Sequence, residues 1–225
     1  MDTLKNLDPI PRLQVALDLE ILDDALKLAS KVAPYIDILE AGTPLIKSEG
    51  IKAVRILKET YPDKLICADL KIADAGYLEV RMAAKAHADI VTVLADAYNI
   101  TIEETLRAAD EFKVEIMADL IMSRRPKKRL EEIKTLNYKS RRLSYALVHS
   151  GLDRQESRHS PLSELKSLAD VYNCPKLAIA GGIKLNDIPK IKPYTIDIII
   201  IGGAITKSEN PTKVAKQIKE AILKN

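Results

Sequence analysis

The sequence predicts a (β/α)8 barrel, and three observations carry that reading. Eight short apolar, largely β-branched runs recur along the 225 residues, segments of helical hydrophobic period separate them, and most runs end in charged residues or paired glycines. Runs that are apolar almost without a break are buried on both faces, which a parallel sheet covered by helices requires. The doubly wound open sheet is the competing arrangement of the same βα units. The length is at the short end for such a barrel and fills one domain, residues 1–225, with no room for a second.

Composition narrows the partners. The 35 basic and 32 acidic residues are interspersed and leave a net charge of +3, too weak a field to call for nucleic acid. Small anions are the expected partners. The opening Met1-Asp2-Thr3-Leu4-Lys5-Asn6 lacks the apolar stretch of a signal peptide, and no apolar run reaches membrane-spanning length. A cytoplasmic location without membrane contact is therefore expected. Cys67, inside a predicted strand, and Cys174 have neither metal-ligand spacing nor a disulfide framework, and both read as buried thiols.

Taken in order, the first run, Leu13 to Leu17, ends in Asp18 and leads into a helical segment from Ile21 to Val32. The second, Ile36 to Leu39, ends in Glu40, and the helical segment Ile51 to Thr60 precedes the third, Leu65 to Ala68. That third run is capped by Asp69-Leu70-Lys71-Ile72-Ala73-Asp74. In an extended strand, side chains two apart face the same way, so Asp69 and Lys71 should point together into the barrel mouth. An ammonium held against carboxylates in a partly dry pocket stays protonated and can stabilise an anion forming on a substrate. One such pair is also an ordinary ion pair closing a strand. Convergence decides, because the strand ends of a closed barrel meet at one mouth. Glu40 and Asp69 come from adjacent strands, and two carboxylates with water in the remaining positions suit octahedral Mg²⁺. A salt bridge from Glu40 to Lys47 or Lys71 is the plainer alternative.

The fourth run, Ile90 to Leu94, is followed by a helical segment from Ile102 to Phe112, and the fifth, Val114 to Ala118, ends in Asp119. Beyond it lies the charge cluster Arg124-Arg125-Pro126-Lys127-Lys128-Arg129, with Glu131 and Glu132 one turn on. Its proline suits a first helical turn, so we read a solvated helix start, with attraction of a substrate phosphate or a partner surface as the lesser alternative. Arg141 and Arg142 precede the sixth strand and belong to the opposite face. The sixth run, Tyr145 to Val148, ends in His149, whose imidazole titrates near working pH and can shuttle a proton. The polar stretch from Gly151 to Pro161 is long for a βα loop and reads as a lid, with His159 an exposed loop residue. The seventh and eighth runs, Leu177 to Ala180 and Ile196 to Ile201, end in Gly181-Gly182 and Gly202-Gly203, before a final helix from Pro211 to Leu223. Paired glycines after strands seven and eight expose backbone N–H groups and let an anion approach, which makes a phosphate cradle.

Leu13-Gln14-Val15-Ala16-Leu17-Asp18, the run from Glu40 to Gly50, the Asp69 to Asp74 segment and the two Gly-Gly ends together resemble the 3-hexulose-6-phosphate synthase family. That family lies within the orotidine 5'-monophosphate decarboxylase superfamily, and the resemblance runs from about Leu13 to the C-terminal helix. It implies a Mg²⁺-dependent (or Mn²⁺-dependent) aldolase that condenses formaldehyde with D-ribulose 5-phosphate to D-arabino-3-hexulose 6-phosphate, or runs the reverse cleavage, through an enediolate. Carried onto matching positions, it implies that Glu40 and Asp69 hold the metal, Lys71 stabilises the enediolate, and Asp18 positions Lys71 or substrate. It also implies that His149 handles protons and that Asp74 reaches the neighbouring site of a homodimer with shared active sites. The 3-keto-L-gulonate 6-phosphate decarboxylases share the Glu40 and Asp69 pair but usually carry an arginine after the histidine, where this chain has Ser150 and Gly151. Orotidine 5'-monophosphate decarboxylases do without metal and show a lysine-containing segment where this chain has Glu40-Ala41-Gly42. A non-catalytic barrel that binds a sugar phosphate is the remaining alternative. The chain departs from the family pattern in the loops Ala95 to Asn99, Arg124 to Arg129 and Asn137 to Arg142.

Overall fold

Eight strands frame the molecule: β1 (Arg12–Leu17), β2 (Ile38–Ala41), β3 (Leu65–Ile72), β4 (Ile90–Leu94), β5 (Glu115–Asp119), β6 (Tyr145–His149), β7 (Lys176–Ala180) and β8 (Ile198–Ile201). The computed structural model describes residues 10–139, 141–155, 161–171 and 174–224. Each strand pairs in parallel with the next, and β8 returns to β1 with Gln14 opposite Ile200. Closure excludes the open sheet.

The side-chain alternation of the strands explains why their sequences are apolar on both faces. In β1, Leu13, Val15 and Leu17 point outward against helices, whereas Ala16 points into the barrel with Ile38, Cys67, Ile90, Met117, Tyr145, Ala178 and Ile198. Each fully buried Leu or Ile contributes about 1.5–3 kcal/mol relative to exposure. Ile36 and Ile196, expected inside strands, precede β2 and β8 but are buried at 2% and 1% exposure, so they serve the core without joining a ladder. The sequence pattern reports burial, and hydrogen bonding sets the strand ends.

The covering helices are α1 (Leu22–Val32), α2 (Thr43–Glu49), α3 (Lys52–Thr60), α4 (Gly76–Lys85), α5 (Asn99–Phe112), α6 (Pro126–Ile133), α7 (Leu152–Gln155), α8 (Pro161–Ala169), α9 (Ile188–Ile191), α10 (Gly203–Thr206) and α11 (Pro211–Leu223). In α1 the spacing of Leu22, Ala25, Leu28, Ala29 and Val32 puts all five on the buried face. Asn210 caps α11 by accepting from the Lys213 N–H at 3.0 Å, ahead of Pro211 in the first turn.

The basic cluster opens α6 as expected, with Arg124, Arg125, Lys127 and Lys128 exposed and Pro126 in the first turn. Arg129 differs. Its side chain is only 13% exposed. It donates to the carbonyls of Ala95 (2.5 Å) and Ala97 (2.7 Å) and to Asn99 Oδ1 (2.8 Å), tying the β4–α5 connection to α6.

At the N-terminal ends of the strands, charges are consumed in pairs. Lys58 meets Asp89 at 3.0 Å, and Asp89 also accepts from the Ile66 N–H at 2.7 Å. Asp37 accepts from Lys219 at 2.5 Å and from the Leu13 N–H at 2.7 Å. Arg12 donates to the Tyr145 hydroxyl at 2.8 Å, and Arg141 donates to the Val114 carbonyl, on the face expected for it. Both cysteines are free; Cys67 is buried, while Cys174 is only half-buried, short of expectation. No helix among the described residues is long and apolar enough to cross a membrane. Met1 to Asn6, His159 and the middle of the expected lid lie outside the described residues, and the lid segment begins as α7.

Candidate active site

A pocket of about 520 Å³ opens at the C-terminal ends of the strands and is lined by Asp18, Glu40, Asp69, Lys71, His149 and the four glycines Gly181, Gly182, Gly202 and Gly203, among others. The strand ends converge as the sequence predicts. Local geometry departs from it at one point. The strand β3 continues to Ile72, so Asp69 and Lys71 lie within it rather than beyond it, and the backbone there is not evenly extended. Ala68 pairs with Val91 and Ile72 with Val93, so Asp69, Leu70 and Lys71 together face the single residue Thr92 of β4. Lys71 takes φ +48°, in the left-handed region. This bulge keeps Lys71 on the face of Asp69 and brings its ammonium into contact with Asp69 Oδ2.

Asp69 is fully engaged. Oδ2 also accepts from Thr43 Oγ1 at 2.6 Å, and Oδ1 accepts from Thr92 Oγ1 at 2.9 Å. Burial acts to raise the Asp69 carboxyl, but Lys71 and the two threonine hydroxyls outweigh it and hold it below its ordinary value. Burial likewise acts to lower the Lys71 ammonium, and the Asp69 and Asp119 carboxylates outweigh it and hold it above its ordinary value. Lys71 is thus a fixed positive charge.

Glu40 answers neither Lys47 nor Lys71 directly; its Oε2 accepts from Gln14 Nε2 at 2.6 Å inside the barrel. Burial, then the nearby Asp69 and Asp18, push its carboxyl up to about 8. Burial and then Asp69 raise Asp18 as well. Asp18 leans over the end of β2, and Gly42 makes room: a Cβ there would overlap the Asp18 carboxylate. Asp18, Glu40, Asp69 and, at 3.8 Å, Asp119 therefore surround one ammonium. That excess of negative oxygen donors fits a divalent cation. Among the described residues no group of three or more His, Cys, Asp or Glu is arranged to hold a metal. Glu40 and Asp69 could hold one only with water or ligand oxygens in the other positions, an arrangement Mg²⁺ favours.

His149 Nδ1 lies 2.9 Å and 3.0 Å from the two carboxylate oxygens of Asp119. Asp119 also accepts from the Ile121 N–H at 2.9 Å and lies 3.8 Å from the Lys71 ammonium. A carboxylate can only accept, so Nδ1 carries the hydrogen and Nε2 is left to the pocket.

Across the pocket, Gly181 (φ +107°) and Gly182 (φ +67°) turn the chain after β7. A Cβ on Gly181 would overlap the Ser150 carbonyl, so this glycine is fixed by both conformation and space. Gly202 and Gly203 are fixed by neither: a Cβ would meet Asp18 Oδ2 at 3.6 Å or the Lys207 side chain at 3.7 Å, ordinary contacts. Bare of side chains, they line the pocket with Lys184 and Lys207, so a ligand can approach the backbone closely.

Asp74 is not part of this assembly. It is exposed in the β3–α4 turn and lines a separate depression with Tyr77, Leu78 and Ile100. Sequence reasoning missed Thr43, Thr92, Gln14 and Lys207, and it gave Asp119 no role beyond a strand end. Thr92 and Gln14 lie within apolar runs, where the signal is a lone polar residue at an inward position.

A closed eight-stranded barrel with these charges at its mouth is the frame of a (β/α)8 enzyme, and the chain belongs to the orotidine 5'-phosphate decarboxylase / HUMPS family, whose model matches residues 11–218. Within that family it is similar to the 3-hexulose-6-phosphate synthase of Mycobacterium gastri, with 38% identity over 94% of this chain and 99% of that one. The crystal structure of 3-hexulose-6-phosphate synthase from Salmonella typhimurium superposes with a TM-score of 0.90, at 32% identity over 94% of this chain and 98% of that one. The 3-keto-L-gulonate-6-phosphate decarboxylase of Vibrio cholerae is also similar, with a TM-score of 0.78 and 30% identity over 95% and 98% of the two chains.

Proposed function

We propose that this chain is a Mg²⁺-dependent (or Mn²⁺-dependent) aldolase that condenses formaldehyde with D-ribulose 5-phosphate to D-arabino-3-hexulose 6-phosphate, or runs the reverse cleavage, in the cytoplasm. The observation that carries the reading is that one pocket holds a fixed ammonium among crowded carboxylates on one side and bare glycine loops on the other. The first suits a forming oxyanion, the second a phosphate.

Forming the enediolate takes a proton from the carbon beside the ketone; adding formaldehyde makes the carbon–carbon bond and leaves an alkoxide that takes a proton back. In this reading Glu40 and Asp69 hold the metal, which when bound supplies a fixed double positive charge beside the developing oxyanion. Lys71 adds a second positive charge at the same place and does not give up its proton, because Asp69 and Asp119 hold it. His149 moves protons through Nε2, oriented by Asp119 at Nδ1. Asp18 borders both Glu40 and the phosphate side and positions substrate between them. Gly181, Gly182, Gly202 and Gly203 receive the phosphate. Asp74, exposed and away from its own pocket, completes the site of a partner subunit in a homodimer.

A decarboxylase must also seat a substrate carboxylate. Apolar Ile121, Leu147, Leu152 and Ala180 share the lining with Lys184 and Lys207. What favours the aldol reading is Ser150-Gly151 directly after His149, where the 3-keto-L-gulonate 6-phosphate decarboxylases usually carry an arginine. The test is turnover by purified protein of ribulose 5-phosphate with formaldehyde, with Mg²⁺ and after its chelation, beside 3-keto-L-gulonate 6-phosphate and orotidine 5'-monophosphate. Turnover of either control in preference to the aldol pair overturns the reading, and turnover of none leaves a sugar-phosphate-binding barrel.

A further inference from the structure

We propose that Thr92 is a positioning residue, whose single hydroxyl locks the bulge in β3 and thereby sets where the Lys71 ammonium stands. In an evenly paired parallel ladder the N–H of a strand residue finds a carbonyl on the neighbouring strand. At Lys71 that partner is lost, because three residues of β3 face one of β4. The Lys71 N–H goes instead to Thr92 Oγ1 at 2.9 Å, and the same hydroxyl donates to Asp69 Oδ1 at 2.9 Å. A hydroxyl can accept and donate at once, so one side chain holds the backbone of the lysine and the carboxylate of its partner.

Two further facts make the bracket consequential. Lys71 sits at φ +48°, which residues with a Cβ avoid, so the conformation persists only where surroundings enforce it. Thr92 is 2% exposed, so bulk water does not readily replace its oxygen. The remaining anchors of Asp69, Thr43 at Oδ2 and the Asp69 carbonyl and Lys71 at Oδ2, leave the Lys71 N–H untouched. Removing the hydroxyl orphans a partly buried N–H and frees one carboxylate oxygen in a single change.

The kinetic part of the test rests on the aldolase reading above, and the exchange part does not. Thr92→Val keeps the shape and removes the hydroxyl, whereas Thr92→Ser keeps the hydroxyl and removes a methyl. Thr92→Val should lower kcat on the order of 100-fold, the scale of an ångström-level misplacement, with the KM for ribulose 5-phosphate within about twofold because the glycine loops are untouched. Thr92→Ser should stay within about fivefold of wild type in kcat, since both hydrogen bonds can be remade. Hydrogen–deuterium exchange at the Lys71 amide should be at least about tenfold faster in Thr92→Val and close to wild type in Thr92→Ser. Should the valine variant not fold, Thr92→Ala is read in the same way. Unchanged amide protection in the hydroxyl-free variant overturns the proposal, whether or not the wild type turns over this substrate. So does a serine variant as impaired as the valine one, which would make the methyl packing the cause. If the wild type turns over neither ribulose 5-phosphate nor formaldehyde, the aldolase reading fails and the exchange result alone decides on Thr92.

Discussion

The two ends of the barrel treat their charges in opposite ways. At the N-terminal end two carboxylates are matched one to one, Asp89 by Lys58 and Asp37 by Lys219, and both also accept from a strand N–H. At the C-terminal end Asp18, Glu40, Asp69 and Asp119 surround Lys71, and burial, then the neighbouring carboxylates, push Glu40 up to about 8. One end spends its ionisable groups on registering strands. The other keeps an unbalanced cluster that the fold alone does not reward. On the proposed reading, the charges that stabilise are matched locally, and those that would act on a ligand are left for it to match.

The comparison breaks most sharply in turnover. Lys71→Ala should lower kcat by at least about two to three orders of magnitude, as removal of a strong oxyanion donor does. Glu40→Gln and Asp69→Asn, which keep side-chain size, should abolish Mg²⁺-dependent turnover while circular dichroism stays that of the wild type. Near-normal rates in Lys71→Ala would return the mouth to the same class as the floor.

A second test asks whether the mouth is complete in one chain. Inactive Lys71→Ala and inactive Asp74→Ala proteins, mixed under verified subunit exchange, should recover about a quarter of wild-type activity, since about half the dimers are mixed and each has one intact site of two. Activity that stays at background would confine Asp74 to its own subunit or to no role.

On the cradle side, Gly203→Val should raise the KM for ribulose 5-phosphate about tenfold with little loss of stability, because the added Cβ meets only the Lys207 side chain. Gly181→Ala should cost stability as well, since it meets the Ser150 carbonyl at φ +107°. Equal effects on KM and Tm at Gly203 would argue against a ligand-facing cradle.

The smallest effect sharpens the comparison by sign. Glu40 has a folded pKa raised from 4.5 to about 8, so its contribution to stability is present below about 4.5 and is lost as pH rises through about 8. In metal-free buffer near pH 8.5, Glu40→Gln should therefore raise Tm, by about 2–4 °C for each kcal/mol relieved, whereas Asp89→Asn at the other end should lower it. Thermal scans at two pH values would show both signs. A Tm that falls for Glu40→Gln would mean that the cluster is stabilising after all.

The contrast between the ends was partly legible in the sequence. Apolar runs reported the strands because each is buried on both faces, and the residues after them marked the mouth, since a closed barrel gathers its strand ends. The bulge in β3 was not legible: the alternation of Asp69, Leu70 and Lys71 is that of any strand, and register is a relation between strands that neither sequence carries alone. Gln14 and Thr92 were hidden inside runs read for their apolarity. Arg129 read as solvated because it sits among exposed cations, although its side chain turns back under the β4–α5 connection. Asp74 lies in the turn beyond the strand, as its place in the sequence suggested, and lines a depression separate from the pocket.

Arg129 has a consequence for how such a barrel can be rebuilt or diversify. Its guanidinium is the shared fastener of two connections that look separable on paper, because the carbonyls of Ala95 and Ala97 and the side chain of Asn99 all depend on a donor some thirty residues later. A graft that exchanges only the segment from Ala95 to Asn99 leaves Arg129 with Glu132, at 2.8 Å, but without its three acceptors, and one that exchanges only Arg124 to Arg129 leaves the carbonyls of Ala95 and Ala97 without their donor. The transplantable module is therefore the pair.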